Sequence, residues 1–307
     1  MASIKFIAFI TFILFIQLCC YAQQDALYTQ YMFNALPLNP AYAGTAEELN
    51  ITVIARKQWL NIDGAPATQT LSVMSPVKKE KMALGFTAIN DYIGVTHQTG
   101  FYGIYAFKIK LSAHSKLSLG LQAGFTNYVS RFSELEVRTP NDPAFASNDV
   151  RYLLPNFGAG AFYYSKKFYA GISAPYILDH LDNNSNVALN AMQSRTYLFT
   201  SGYVATLSPE LKIKPSILFR VANGVPVQAD INTTFIIHDV LWFGVSYRSF
   251  SSLNFIAQLQ LSNRLSFGYS YDIPLNKISS ASSGSHEVML SYRFINYNKN
   301  MIIPRYF

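Results

Sequence analysis

The sequence predicts an all-β protein: a transmembrane antiparallel β-barrel of about 14 strands with short periplasmic turns and long external loops. Three observations lead there. Hydrophobic residues make up 50% of the chain and charged residues only 13%, against about 25% charged in an average soluble domain. Beyond the N-terminus no stretch reaches the roughly 18 uninterrupted apolar residues of a membrane-spanning helix. Apolar and polar residues also alternate with a period of two over long segments. A chain this apolar that lacks spanning helices can meet lipid only as a closed barrel, because every backbone N–H and C=O in hydrocarbon must be paired. The 21 tyrosines and 23 phenylalanines suit the aromatic girdles of such a barrel at the two membrane interfaces.

The chain opens on an apolar stretch, residues 4–21, carrying the single cation Lys5 and closed by Cys20, Tyr21 and Ala22 before polar Gln23 and Gln24. This reads as a cleavable export signal over residues 1–22, cut after Ala22. A retained anchor would want about 20 apolar residues with a basic flank. Lipidation would need a small residue before the modified cysteine, where Leu18 or Cys19 stands. Both cysteines leave with the signal, which removes disulfides, cysteine-ligated metals and cysteine catalysis from the mature chain.

Residues 23–47 are expected to form a periplasmic strap or short helix, with Asp25 as N-cap, Pro37 as terminator, and Leu27 and Tyr31 on one face. A plug in the barrel lumen or a docking element is the alternative for this segment. The barrel is placed over residues 48–296. Its alternation is clearest where Leu117, Leu119, Leu121, Ala123 and Phe125 interleave with Lys116, Ser118, Gly120, Gln122, Gly124 and Thr126. On a helix that period would scatter the apolar set around the wheel, whereas on a strand it gives one lipid face and one lumen face. A soluble sandwich also alternates, but its surface would carry far more charge.

Strands are expected near 48–58, 66–75, 82–91, 97–110, 115–131, 154–165, 167–176, 194–207, 210–221, 226–237, 240–249, 252–262, 264–273 and 285–296, followed by a periplasmic tail over 297–307. Loop lengths test that count. If the first strand runs outward, every even-numbered connection is brief, as at His238-Asp239 or Ser208-Pro209, and the long ones, near 132–153, 177–193 and 274–284, all fall on one side. One missed strand would break this parity, so both barrel ends lie in the periplasm.

Little here suggests catalysis. The five histidines, His97, His114, His180, His238 and His286, show no metal-ligand spacing. Asp179, Asp182, Asn183 and Asn184 would offer hard oxygens to a divalent cation, although such loop runs are normally just solvated. Glu134 and Glu136 share a strand face without a cleft, and Lys78, Lys79 and Lys81 around Glu80 would meet an acidic partner or simply keep a turn wet. No nucleophile elbow, phosphate loop or dinucleotide fingerprint occurs. The reading is therefore of a non-enzyme with no catalytic residue, cofactor or metal. The net charge of +7 is too dispersed to indicate nucleic acid.

Several segments, taken in order, resemble a known family. They are Gln30-Tyr31-Met32-Phe33-Asn34; Asn39-Pro40-Ala41-Tyr42-Ala43-Gly44; Arg56-Lys57-Gln58-Trp59 with Gly64-Ala65-Pro66; Leu84-Gly85, Asn90-Asp91 and Ile93-Gly94; and the last strand from Ser285-His286-Glu287 to Phe294. This series resembles the PorP/SprF membrane proteins of the Bacteroidota type IX secretion system. Read physically, Asn39-Pro40 and Gly44 turn the chain into the first strand, and Trp59 with Gly64 and Pro66 shapes the first external hairpin. The family often has glycine where Asn61 stands, a substitution that asparagine's tolerance of left-handed backbone permits.

The resemblance implies an integral outer-membrane component of protein secretion or surface anchoring, of the gliding-adhesin type. Its partners would be outer-membrane lipid, the periplasmic ring proteins and lipoproteins of that system, and the C-terminal domain of a large secreted surface protein. The alternative drawn from the fold is a channel for a hydrophobic or small polar solute.

Overall fold

A computed structural model describes residues 28–45, 47–77, 81–134, 149–180, 194–222 and 225–295. The expected signal, Asp25, Lys78 to Glu80, Glu136, Asp182 to Asn184 and the C-terminal tail fall outside them. Fourteen antiparallel strands close into a barrel. They are β1 (Leu49–Lys57), β2 (Ala67–Val77), β3 (Met82–Ile93), β4 (Thr96–Lys110), β5 (Ser115–Ser130), β6 (Val150–Ser165) and β7 (Phe168–Tyr176). After these come β8 (Thr196–Tyr203, resuming after Val204 as Ala205–Thr206), β9 (Leu211–Ala222), β10 (Gln228–Ile237), β11 (Leu241–Arg248), β12 (Ser252–Gln260), β13 (Leu265–Pro274) and β14 (Ser285–Phe294).

Each strand pairs with its sequence neighbours, and β14 closes on β1 in a register running from Leu49↔Phe294 to Lys57↔His286. The expected strands stand within a few residues, with two differences. β6 starts at Val150 rather than 154, because its outer end continues to pair with β5 through Val150↔Ser130. β8 is interrupted at Val204, whose N–H donates to the Lys167 carbonyl at 2.7 Å.

The period-two pattern sorts the two faces as expected. On β5, Ser118, Gln122 and Thr126 are buried in the interior, whereas Leu119, Leu121 and Phe125 are 44%, 61% and 41% exposed. Large apolar side chains are likewise exposed on the outside of every other strand-bearing sector, including Phe86, Phe107, Phe157, Ile172, Phe243 and Leu290. Such a belt is tolerable only against lipid. Among the described residues no helix is long and apolar enough to cross a membrane.

The long connections gather at one barrel end and the tight ones at the other. His238 and Asp239 form one of the tight turns, with φ of 51° and 56°. Two successive positive φ values give a two-residue hairpin turn whose twist matches that of the flanking strands.

The interior is filled by the chain's own N-terminal part. Residues 28–45 are nearly all buried, and their side chains reach inward-facing residues of strands all around the circumference, from Ser72 on β2 and Ser173 on β7 to Asn232 on β10 and Glu287 on β14. Only a segment inside the lumen can touch all of these. The described part of the expected strap therefore lies within the barrel rather than beneath it. Nor is it an α-helix: Thr29 to Phe33 form turns, and the one regular piece is a 3-10 helix at Pro40–Thr45.

Candidate functional site: the plugged lumen

The plug is held in two different ways along its length. Its first half, residues 28–34, docks on an ionic cluster built across the seam where the barrel closes. Strand register sets Arg56 of β1 directly opposite Glu287 of β14, and Asp272 reaches the pair from neighbouring β13. The Arg56 guanidinium spans both acids, at 2.6 Å to Asp272 and 3.1 Å to Glu287, with all three side chains at most 4% exposed. The plug completes the cluster. The Glu287 carboxylate accepts the backbone N–H groups of Thr29 and Gln30 at 3.0 and 2.8 Å. The Thr29 hydroxyl donates to Asp272 at 2.7 Å and accepts from Arg56 at 3.0 Å. Two acids against one guanidinium leave an excess negative charge, and the two amide dipoles aimed at Glu287 offset it.

Around this cluster the same half makes further polar contacts. Asn34 donates to Ser72 at 2.8 Å, Tyr28 bonds Thr70, and the amide of Asn232 approaches the Met32 sulfur at 2.8 Å. Phe33 lies edge-on to Trp242 at 5.7 Å. The Lys214 ammonium sits over both rings, 5.7 Å from Phe33 and 5.1 Å from Trp242, a cation–π arrangement that suits a buried cation. Farther along that wall Arg248 grips Asp230 with Nε at 3.1 and 3.0 Å from its two oxygens.

The second half, residues 35–45, packs on an apolar floor. Leu36, Ala41, Tyr42 and Ala43 join Met74, Ala83, Ile104, Ala106, Phe162 and Tyr169 in one buried cluster, with Tyr42 edge-on to Phe162 at 5.6 Å. Inward-facing glycines let the plug backbone come this close. A Cβ at Gly120 would lie 2.1 Å from the Ala41 nitrogen, and one at Gly160 2.1 Å from Asn39 Oδ1. Asn39 is fixed there by the Ala161 carbonyl, 3.2 Å away, while its Oδ1 accepts the Ala41 N–H at 2.9 Å and caps the 3-10 turn.

The remaining signature residues tie the rim at the end of the long loops. Gln58 donates its N–H to Pro66 within the first hairpin loop, and Leu60 donates to Gly284 of the last loop, each at 2.9 Å. Trp59 N–H reaches Ser285 Oγ at 3.2 Å. Asn61, at φ 73°, takes the left-handed backbone expected of it and bonds Ser283 at 3.1 Å. Gly94 donates to Gly64 at 2.9 Å, both at positive φ, and Asp91 accepts the Thr68 hydroxyl. His286 and Glu287 are sequence neighbours on opposite faces: Glu287 enters the ionic cluster, whereas His286 points outward, 2.6 Å from the Tyr269 hydroxyl.

The structure thus gathers the signature residues into three places: plug, ionic cluster and rim. The pairing of Arg56 with Glu287 and Asp272 was not legible from spacing. Of the loop acids singled out in the sequence, the two described residues lie in ion pairs. Asp179 pairs with Arg195 at 3.4 Å and Glu134 with Arg131 at 3.3 Å. Among the described residues no three His, Cys, Asp or Glu side chains converge on a point.

Among solved structures the chain is similar to the CymD monoaromatic hydrocarbon channel, with a TM-score of 0.50 and 12% identity over 88% of this chain and 94% of that one. It is also similar to a Pseudomonas aeruginosa FadL homologue, with a TM-score of 0.46 and 12% identity over 86% and 94% of the two chains. At such identities the likeness concerns the barrel alone. No curated protein matches the sequence. A family model described as type IX secretion system membrane protein PorP/SprF matches residues 20–292, and the chain therefore belongs to the PorP/SprF family of type IX secretion membrane proteins.

Proposed function

We propose that this barrel is a non-enzymatic outer-membrane component of type IX secretion that supports the secretion or surface anchoring of a large cell-surface protein, of the gliding-adhesin type. The observation that carries the reading is the plug: a lumen occupied by the chain's own buried residues 28–45 suits a partner in protein traffic better than a standing solute pore. Family membership supplies the system in which it works. Its partners are then the periplasmic ring proteins and lipoproteins at the tight-turn end, and the C-terminal domain of the client at the loop end. Deleting the gene in a strain without a second copy of this family should leave a large surface protein trapped inside the cell. Normal display of all such proteins in that strain would refute the proposal.

Orientation has its own check. With the long loops outside, protease added to intact cells cuts between Arg138 and Arg151 and spares the turn at Lys78, as mapped by mass spectrometry of the fragments. Cleavage at Lys78 in sealed cells would invert the topology.

A further inference from the structure

The two halves of the plug differ in how they meet the wall, and the difference has a direction. Beneath residues 35–45 the contact is close and largely apolar, set by the Leu36–Tyr42–Phe162 cluster and by glycines that admit the backbone, and its polar contacts are paired: Asn39 donates to the Ala161 and Ile172 carbonyls, Ser173 to the Leu38 carbonyl and Tyr164 to the Gly44 carbonyl. There the Ser118 hydroxyl is the one buried side-chain atom without a partner among the described residues of that floor. Beside residues 28–34 the contact is polar, and unpartnered atoms accumulate: Gln30 Oε1, the Tyr31 hydroxyl, Ser246 and Ser270 Oγ, both amide atoms of Asn254, and Asp272 Oδ1.

These atoms are not scattered. Register places Ser246 opposite Asn254 and Asn254 opposite Asp272, Ser270 is the next inward residue of the same strand, and Gln30 Oε1 lies over neighbouring Gly268. Buried polar groups in native proteins are almost always satisfied, by protein or by water, and a polar seam of this kind is one that water fills. Two smaller apolar clusters, around Tyr28 and around Tyr31 and Met32, also touch this half, but each adjoins the polar seam. An interface whose groups can exchange their partners for water separates far more readily than an apolar one, since separation leaves nothing unsatisfied.

We propose that the plug opens on one side only: residues 28–34 form a displaceable latch on the β8–β14 wall with β1 and β2, residues 35–45 stay seated on β2–β7, and release of the latch opens a hydrated passage for small hydrophilic solutes. The change of partner falls at Ala35–Pro37, where the chain turns through paired hydrogen bonds from Leu38 and Asn39 to the Ala35 carbonyl. The passage runs along Asn254, Asp272 and Glu287. Its trigger site is the ionic cluster, because the Glu287 carboxylate, held against Arg56, accepts the Thr29 and Gln30 amides.

The test uses the full chain in planar bilayers and in thiol labelling. Wild type should remain closed with rare openings, Glu287→Gln should be open at least tenfold more of the time, and Ile172→Ala on the outer face, away from the plug, should stay within twofold of wild type. With Cys19 and Cys20 replaced by serine, Asn254→Cys should react at least tenfold faster with a water-soluble thiosulfonate in the Glu287→Gln background, whereas Ala106→Cys should not change. Thr29→Val, which removes the plug's own hydroxyl and leaves the wall intact, should act in the same direction and serves if Glu287→Gln fails to fold. Equal acceleration at Asn254 and Ala106 would mean that the plug leaves as one body and would overturn the proposal. So would an unaltered rate at both, or a wild-type barrel that conducts steadily.

Discussion

Replacing Arg56 with alanine is expected to lower the stability of the folded barrel by about 3–5 kcal/mol, the usual cost of removing one member of a buried ion cluster. The reason lies in what remains. Asp272 and Glu287 are almost fully buried on adjacent strands and both face the Arg56 guanidinium, so without it two carboxylates confront each other with only the Thr29 hydroxyl and two plug amides as donors. Arg56→Lys should lose less but not nothing: an ammonium keeps the charge, yet cannot offer two fixed donors to two acids and a third to Thr29. The check is a urea titration followed by the mobility shift between folded and unfolded barrel on gels. A loss below about 1 kcal/mol for Arg56→Ala, the range of an exposed pair, would show that the guanidinium does not hold the cluster.

Gly120→Val should be about as damaging on the opposite wall, at about 3 kcal/mol, the upper part of the range for overfilled interiors. An added Cβ there meets the Ala41 nitrogen at 2.1 Å and the Pro40 carbonyl carbon at 2.3 Å. Both are plug backbone, so no rotamer change relieves the clash, and the 3-10 turn must shift as a unit. Gly103→Val is the control. Its Cβ would find nothing nearer than 3.9 Å, and a β-branched residue on a strand is otherwise favourable. If both substitutions cost the same, measured by the same titration, the glycine at 120 is not there to admit the plug.

Much of this barrel could be read from its residues because a strand reports its surroundings every second position. The Leu117–Phe125 alternation placed lipid and lumen correctly without knowledge of any neighbour, and loop parity needed only lengths. The plug lacked such a signal. Its residues 28–45 have no period, since a segment enclosed by wall on every side is buried in every direction, and its one regular piece is the short 3-10 helix that Asn39 caps through its own side chain. The inward polar row was equally silent, because threonines and serines facing a plug look like threonines and serines facing water. The ionic cluster joins residues 216 and 231 positions apart, a pairing that only register discloses. Inward glycines at 120 and 160, on strands otherwise rich in larger residues, were the one available hint that something presses against the wall there.

The same cluster constrains the order of events during assembly. Arg56 belongs to the first strand, Asp272 and Glu287 to the last two, and they meet only across the β1–β14 junction. Loop closure over such a span comes late, after the local hairpins have formed. Residues 28–34 therefore have no complete seat until the first and last strands have zipped together, and a barrel that stalls before that step is left with the N-terminal half of its filling undocked.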